Sequence, residues 1–207
     1  MGKGGKKKDR PIPCDYLAGE KSERAKILFD AVRPHIRSLC EGVSDETGGQ
    51  NGSAPLSILD VTCGTSPLSA HILGEFSDAQ YTGFDMNERA IDKCKSRFPD
   101  RIWTCSISNR FVIDRRYDLV IHIGVSSPRY DVFEIHSRLV ESRYGRPGLI
   151  LIEWGDNREG TCDTRETYDK IREIYMGAGF IVVDGGVFDI GDVPYPVRRY
   201  EVLKEVK

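Results

Sequence analysis

Apolar residues are spaced in two different ways along the chain. Between residues 25 and 39, apolar side chains recur at spacings of three and four, which predicts a helix with one buried face. Pro34 lies inside this stretch, so we expect a kink or two shorter helices. Residues 44–55 are polar and glycine-rich, and they predict a flexible linker.

From residue 56 onward, short apolar runs alternate with helical patterns. Strands are predicted at Leu56–Val61, Gln80–Asp85, Arg101–Cys105, Tyr117–Ile123 and Leu149–Glu153, and helices at Leu68–Phe76, Glu88–Phe98, Val132–Ser142 and Tyr168–Ala178. Uninterrupted apolar runs suit parallel strands with helices on both faces. The last two predicted strands, Phe180–Val183 and Arg199–Leu203, have no helix between them. The pattern therefore predicts an α/β, doubly wound, mostly parallel sheet with a terminal antiparallel strand.

The domain organisation follows from these patterns. We expect a basic flexible tail over residues 1–20, a helical segment over 21–41, a linker over 42–55 and one α/β domain over 56–207. The length of 207 residues allows a single full-sized core. With 39% hydrophobic and 30% charged residues, the composition excludes a disordered or fibrous protein.

The charge is distributed unevenly. Residues 1–10 hold five basic residues and one acidic residue, a local charge of +4, so the remaining 197 residues sum to −6 within a net charge of −2. The basic residues are Lys3, Lys6, Lys7, Lys8 and Arg10. Such a run is either a solvated tail or an arm that binds nucleic acid or another polyanion. The acidic remainder does not predict a wide nucleic-acid-binding face.

Neither a metal site nor a membrane segment is predicted. The six cysteines form no C-x-x-C pair and lack a histidine at zinc-ligand spacing, which indicates reduced thiols. No apolar run approaches the roughly 18–20 residues of a membrane span. Pro11 and Pro13 follow the basic start where a secretory signal would have an apolar stretch. We therefore expect a soluble, cytoplasmic protein without a membrane partner.

Acidic residues end the first two predicted strands of the domain. Asp60 precedes a turn at Gly64, where it can fix the loop or meet a cationic ligand group, and Thr65 and Ser66 can cap the next helix. Asp85 ends the second strand, where an acid can accept hydrogen bonds from the two hydroxyls of a ribose. In open parallel sheets, ligands bind beyond these strand ends.

Three segments together resemble the class I S-adenosylmethionine (SAM)-dependent methyltransferases: Asp60-Val-Thr-Cys-Gly-Thr65, Gly83-Phe-Asp-Met-Asn87 and Tyr117-Asp-Leu-Val-Ile-His-Ile-Gly-Val125. The resemblance covers most of residues 56–207 and implies a seven-stranded sheet of order 3-2-1-4-5-7-6, with SAM as cofactor. It implies that the glycine turn lies under the methionine part, Asp85 binds the ribose and Met86 packs against the adenine. The cofactor-binding residues it implies are Asp60, Cys63, Gly64, Thr65, Asp85, Met86, Ser106, Ile107, Ile123 and Gly124.

The glycine motif departs from that family. Its first strand is usually followed by Gly-x-Gly-x-Gly, whereas these three places hold Thr62, Gly64 and Ser66 in this chain. The departure predicts either a different seat for the cofactor or a stiffer loop. The dinucleotide fingerprint G-x-G-x-x-G is absent after the first strand, which argues against NAD.

No catalytic residue is identified, but three are candidates, each with a structural alternative. His122 is either a general base or a core histidine. Ser126, with Ser127, either binds the substrate or caps the next helix. Glu153 opens a cluster, Glu153-Trp-Gly-Asp-Asn157, that suits a cationic or planar acceptor, or else forms a helix-entry turn with a half-buried indole.

The acceptor is predicted from motifs that are absent. An Asn/Asp-Pro-Pro-aromatic motif is typical of enzymes that methylate amino nitrogens of bases, but Gly124-Val-Ser-Ser-Pro-Arg129 stands in its place. The Lys–Asp–Lys–Glu set of ribose-methylating enzymes is also not evident at the strand ends. We therefore expect methyl transfer to a small-molecule or protein acceptor. The alternatives are a catalytically silent module that binds SAM or a nucleoside, and an RNA or DNA methyltransferase recruited by the basic tail.

Overall fold

The computed structural model describes residues 20–42, 55–107, 110–123, 132–155, 164–189 and 197–206. The basic tail and most of the predicted linker lie outside these ranges. The helices are α1 (Glu20–Gly42), α2 (Pro67–Glu75), α3 (Glu88–Arg97), α4 (Val132–Val140) and α5 (Thr164–Gly177). The strands are β1 (Ser57–Val61), β2 (Gln80–Asp85), β3 (Ile102–Cys105), β4 (Leu119–Ile123), β5 (Leu149–Gly155), β6 (Phe180–Asp189) and β7 (Val197–Glu205).

The strands form one sheet in the order β3-β2-β1-β4-β5-β7-β6. Neighbouring strands among β1 to β5 pair in parallel, whereas β7 lies antiparallel to both β5 and β6. The fold class and the strand order that the sequence resemblance implies are confirmed. The chain runs outward from β1 to β3 and then returns to β4 on the other side of β1, so the strand order reverses between β1 and β4.

Two apolar layers cover the sheet. Leu28, Val32 and Ile36 of α1 belong to one layer, together with side chains of α2 and α3 and with Ile121 of β4. Val120, the neighbouring residue of β4, belongs to the opposite layer, which α4 and α5 complete. Successive residues of a strand face opposite sides of a sheet. A strand covered on both faces therefore needs an unbroken apolar run, as the sequence shows.

Helix α1 is not divided at Pro34, which corrects the expectation of two shorter helices. It continues from Glu20 to Gly42 with the proline inside. Proline costs the helix one backbone hydrogen bond, to the carbonyl four residues earlier. Val32 and Ile36, on either side of Pro34, are both fully buried. Packing of both halves against the sheet offsets the local loss.

Strands β6 and β7 are longer than predicted. The apolar run that marks β6 ends at Val183, but its backbone ladder with β7 continues to Asp189 through Gly185 and Gly186. At Gly186, an added Cβ would lie 2.7 Å from the ring of Tyr200, so a side chain there would clash. Close packing of backbone against an aromatic ring therefore accompanies the strand beyond the apolar run that predicted it.

Within the described ranges, none of the helices combines the length and the apolar character needed to span a bilayer.

Candidate functional site

The loop between β1 and α2 has an unusual backbone. Thr62, Gly64 and Ser66 have φ angles of 58°, 55° and 44°, so every second residue is left-handed. These are the three places where the resembling family usually has glycine. The chain thus keeps a glycine-like path with only one glycine, at a cost of roughly 1–2 kcal/mol for each residue that carries a Cβ.

Buried hydrogen bonds hold this loop in place. The Ser66 hydroxyl donates to Oδ2 of Asp60 at 2.7 Å, and the Tyr81 hydroxyl donates to the same oxygen at 2.8 Å. The Cys63 backbone N–H donates to the Phe84 carbonyl at 2.9 Å. Ser66 occupies the N-cap position of α2, but its side chain makes no capping bond there, which corrects the expected role. It fastens the loop to β1 instead.

Asp60 is the buried anchor of this arrangement. Loss of hydration raises the pKa of its carboxyl to about 6, although the hydroxyls of Ser66 and Tyr81 oppose the shift. The nearby carboxylate of Asp85 adds to the rise. Asp60 therefore fixes the loop through the Ser66 hydroxyl.

Asp85 connects the two loops at the carboxyl ends of β1 and β2. Its Oδ2 accepts the Gly64 backbone N–H at 2.9 Å, and its Oδ1 accepts the Asn87 N–H at 2.8 Å. An ionised carboxylate offers about four acceptor positions. Counting only the described residues, one position on each oxygen remains without a partner, which suits a pair of neighbouring hydroxyls.

The predicted adenine-side residues lie beside Asp85. The Ser106 N–H donates to the Asp85 carbonyl at 2.9 Å, which brings the segment after β3 to the end of β2. Met86 is 43% exposed, and Ile107 is half-buried at the end of this described segment. The structure thus assembles Asp85, Met86, Ser106 and Ile107 at one edge of the sheet.

The thiol of Cys63 is enclosed within the loop. Contact with the Cys94 thiol and burial raise its pKa well above the ordinary value. Cys94 Sγ in turn lies 3.4 Å from the Gly64 carbonyl oxygen. Both thiols are buried, and they pack behind Gly64. Thr65, on the other side of Gly64, is half-buried.

His122 belongs to a buried chain of polar side chains. Its Nδ1 lies 2.8 Å from Nε2 of His136 in α4, and Nδ1 of His136 lies 2.7 Å from the Tyr175 hydroxyl in α5. Burial lowers the pKa of His122 to about 4 and that of His136 well below its ordinary value. Both imidazoles are therefore neutral near pH 7. This geometry favours the core-histidine interpretation over a general base.

The other candidates at the end of β4 are only partly described. Ile123 is the last residue of β4 and is half-buried. Gly124, Ser126 and Ser127 lie outside the described residues.

Glu153 forms ion pairs with two arginines. Its fully buried carboxylate accepts hydrogen bonds from Arg24 of α1 and from Nε of Arg198 in β7, and Nη2 of Arg198 lies 2.8 Å from Oε2. Burial alone would raise the pKa of Glu153, but the two guanidinium groups outweigh it and lower the pKa. The carboxylate of Glu153 is thus not free to meet a cationic acceptor, which argues against that one of the two interpretations.

The indole next to Glu153 is also covered. The rings of Trp154 and Tyr168 stack with their centroids 3.4 Å apart. Asp156 and Asn157, the remaining polar members of the predicted cluster, lie outside the described residues. Among the residues that the structure does describe, no group of three or more side chains is arranged to hold a metal ion.

The side chains that surround His122 and Glu153 were not predicted from the sequence. His136 is 14 residues from His122, Tyr175 is 39 residues from His136, and Arg198 is 45 residues from Glu153. For His136 a weak signal existed, because it stands between Ile135 and Leu139 on a predicted buried helix face.

No protein-family model matches the chain. Solved structures are similar over nearly its whole length. The N-methyltransferase NodS from Bradyrhizobium japonicum, in complex with S-adenosylhomocysteine, has a TM-score of 0.63 at 16% identity and covers 97% of this chain and 94% of its own. The methyltransferase domain of a bacterial Hen1 has a TM-score of 0.61 at 16% identity, with 91% and 100% covered.

A third similar structure is named for a different activity. The [4+2]-cyclase SpnF has a TM-score of 0.55 at 11% identity and covers 89% of this chain and 96% of its own. At such low identities the similarities show the fold, which is that of the class I SAM-dependent methyltransferases.

Proposed function

We propose that this protein is a SAM-dependent methyltransferase that acts on a small-molecule or protein acceptor. One observation carries the proposal: the loop after β1 is left-handed at all three glycine positions of the motif, and its Gly64 N–H is bonded to the Asp85 carboxylate. This arrangement joins the two strand ends next to the point where the strand order reverses, where open α/β sheets bind ligands.

The cofactor would extend along the edge from β1 to β3. The free acceptor positions of Asp85 would take the ribose hydroxyls, while Met86, Ser106 and Ile107 would face the adenine. Cys63, Gly64 and Thr65 would support the methionine part, near the carboxyl group of Asp60. Ile123 and Gly124 complete the set of residues that we expect to bind the cofactor. When bound, SAM supplies an electrophilic methyl group on a positively charged sulfur.

The protein's contribution to such a transfer is mainly positioning. A methyl transfer needs a nucleophile held in line with the methyl group, and it needs a base only when that nucleophile is protonated. Among the described residues, His122 and Glu153 are both engaged in buried bonds. We therefore infer an acceptor whose nucleophile is unprotonated or loses its proton without His122 or Glu153. Ser126 remains a candidate for binding the acceptor.

Two alternatives have support. The replacement of two motif glycines, together with the engaged His122, is consistent with a silent module that binds SAM or a nucleoside. The cyclase SpnF illustrates that this fold also serves a reaction other than methyl transfer.

Recruitment of RNA or DNA by Lys3, Lys6, Lys7, Lys8 and Arg10 would require binding that weakens steeply with salt.

The test is the formation of S-adenosylhomocysteine (SAH) from SAM in the presence of separated small-molecule and protein fractions of a cell extract. We expect product above the background without fraction, loss of product in Asp85→Ala, and retention in Asp92→Ala, which removes an exposed acid from α3. SAH that binds to the protein but never forms in any fraction would support the silent module instead.

A further inference from the structure

Three charged side chains form a cluster on the α1 side of the sheet. It consists of Arg24 from α1, Glu153 near the carboxyl end of β5 and Arg198 near the start of β7, and we call it the arginine cluster. The cluster lies deep in the fold: the Arg24 and Arg198 side chains are 11% and 10% exposed, and that of Glu153 is 0% exposed.

Among the residues that the structure describes, the arginine cluster carries one excess positive charge. Two guanidinium groups stay protonated under all ordinary conditions, whereas one carboxylate balances only one of them. Burial and the charge of Arg198 lower the pKa of Arg24, while Glu153 opposes the shift. An uncompensated charge in such a setting is costly, and a bound anion removes that cost.

The unused hydrogen-bond donors of the cluster also favour a bound anion. Glu153 accepts one N–H from Arg24 and two from Arg198, although two guanidinium groups carry about ten N–H donors. The Nε of Arg24 is buried, and it has no partner among the described residues. Arginine donors in this fork geometry match the oxygens of a carboxylate or a phosphate.

The position of the cluster separates it from the proposed cofactor seat. The cofactor loop follows β1, and two strand spacings lead from β1 through β4 to β5, about 10 Å at roughly 4.8 Å per strand. A third spacing leads to β7, about 14 Å from β1. The arginine cluster is therefore separate from the β1 loop, where the methionine part of SAM is proposed to bind.

We propose that the arginine cluster binds a carboxylate or phosphate group of a small-molecule acceptor and so holds that acceptor beside the cofactor seat. The assignment to an acceptor rests on the proposed methyltransferase function. The low exposure of both arginines suits a small anionic group and not the backbone of a nucleic acid. Acceptors that carry an anionic group at one end and a nucleophile at the other are therefore favoured substrates.

The experiment titrates the full-length protein with inorganic phosphate and with malonate at constant ionic strength, by calorimetry. We expect one of the two anions to bind, and the one that binds tells a phosphate site from a carboxylate site. Arg24→Gln should weaken this binding by roughly tenfold or more, because a charge-assisted bond is lost. The control Arg37→Gln removes an exposed arginine of the same helix, paired with Glu75, and should leave it unchanged.

Folding of Arg24→Gln is checked by circular dichroism, and Arg24→Lys serves as a second variant. Lysine keeps the charge but loses the fork, so we expect anion binding intermediate between the wild type and Arg24→Gln. Equal anion binding in the wild type and in folded Arg24→Gln, or no anion binding at all, would overturn the proposal.

Titrations with SAH and with 5′-methylthioadenosine, which lacks the amino-acid part, separate this proposal from the proposed function. We expect SAH and the anion to bind together, with SAH binding unaffected by Arg24→Gln. If Arg24→Gln weakens SAH but not 5′-methylthioadenosine, and SAH displaces the anion, the cluster holds the cofactor's own carboxylate and the proposal fails. If the anion binds through Arg24 and SAH does not bind, the methyltransferase function fails and the anion site stands.

Discussion

Thr62 and Ser66 show that a motif can be kept in the backbone after it has been lost from the sequence. Both adopt the left-handed conformation that glycine normally supplies, and Gly64 between them does the same. The Ser66 hydroxyl gains a buried bond to Asp60 in exchange. Of the two possibilities that the sequence left open, this favours a loop fastened more firmly than a glycine loop.

The cost of the left-handed conformation can be measured by exchanging glycine and alanine at residues 62 and 65. At residue 62 the glycine variant should be more stable than the alanine variant by about 1 kcal/mol, since Ala carries the Cβ penalty. At residue 65, which lies outside the left-handed region, the alanine variant should be the more stable one by roughly 0.5–1 kcal/mol. Urea denaturation gives both free-energy differences.

Comparing glycine with alanine at each residue cancels the contacts of the original threonine side chain. The same order of stability at residues 62 and 65 would show that the left-handed backbone of Thr62 carries no strain.

Asp60 links three elements: its own strand β1, the loop that leads to α2, and Tyr81 of β2. The folded protein holds a proton on Asp60 up to a pH of about 6, whereas the unfolded chain releases it near the ordinary value of 3.8. Stability from this group is therefore fully present below pH 3.8 and is lost as the pH rises through about 6.

Asp60→Asn should remove this dependence on pH. Relative to the wild type, the variant should gain about 2 kcal/mol between pH 4 and pH 7, because one pKa unit corresponds to about 1.4 kcal/mol and the loss has already begun at pH 4. The comparison with the wild type cancels the opposite trend of His122, whose lowered pKa removes stability as the pH falls from 6.5 towards 4. The measurement is urea denaturation at one-unit steps of pH.

Tyr81→Phe provides a second variant for the same measurement. It takes one hydrogen-bond donor from the Asp60 carboxylate, so the pH at which stability is lost should move upward. A difference between Asp60→Asn and the wild type that stays constant with pH would mean that Asp60 is ionised in the folded protein throughout this range.

At the scale of the molecule, local patterns predicted the elements, and residues distant in sequence determined the site. Alternating apolar runs and the acids at Asp60 and Asp85 located β1, β2 and their loops. The strand order came from a resemblance carried by three short segments. The pairing of Arg24 with Glu153 joins residues 129 apart in the chain, and no local pattern encodes such a contact. The neutral, buried setting of His122 depends on α4 and α5 in the same way.

The central claim, a cofactor seat built on Asp85 and the left-handed loop, is tested most directly by calorimetric titration with SAH. We expect the wild type and Asp92→Ala to bind SAH alike and not to bind NAD. Asp85→Ala, with its fold checked by circular dichroism because it also loses the bonds to Gly64 and Asn87, should show no binding. A wild type that does not bind SAH, or a folded Asp85→Ala that binds it as tightly as the wild type, would contradict the account.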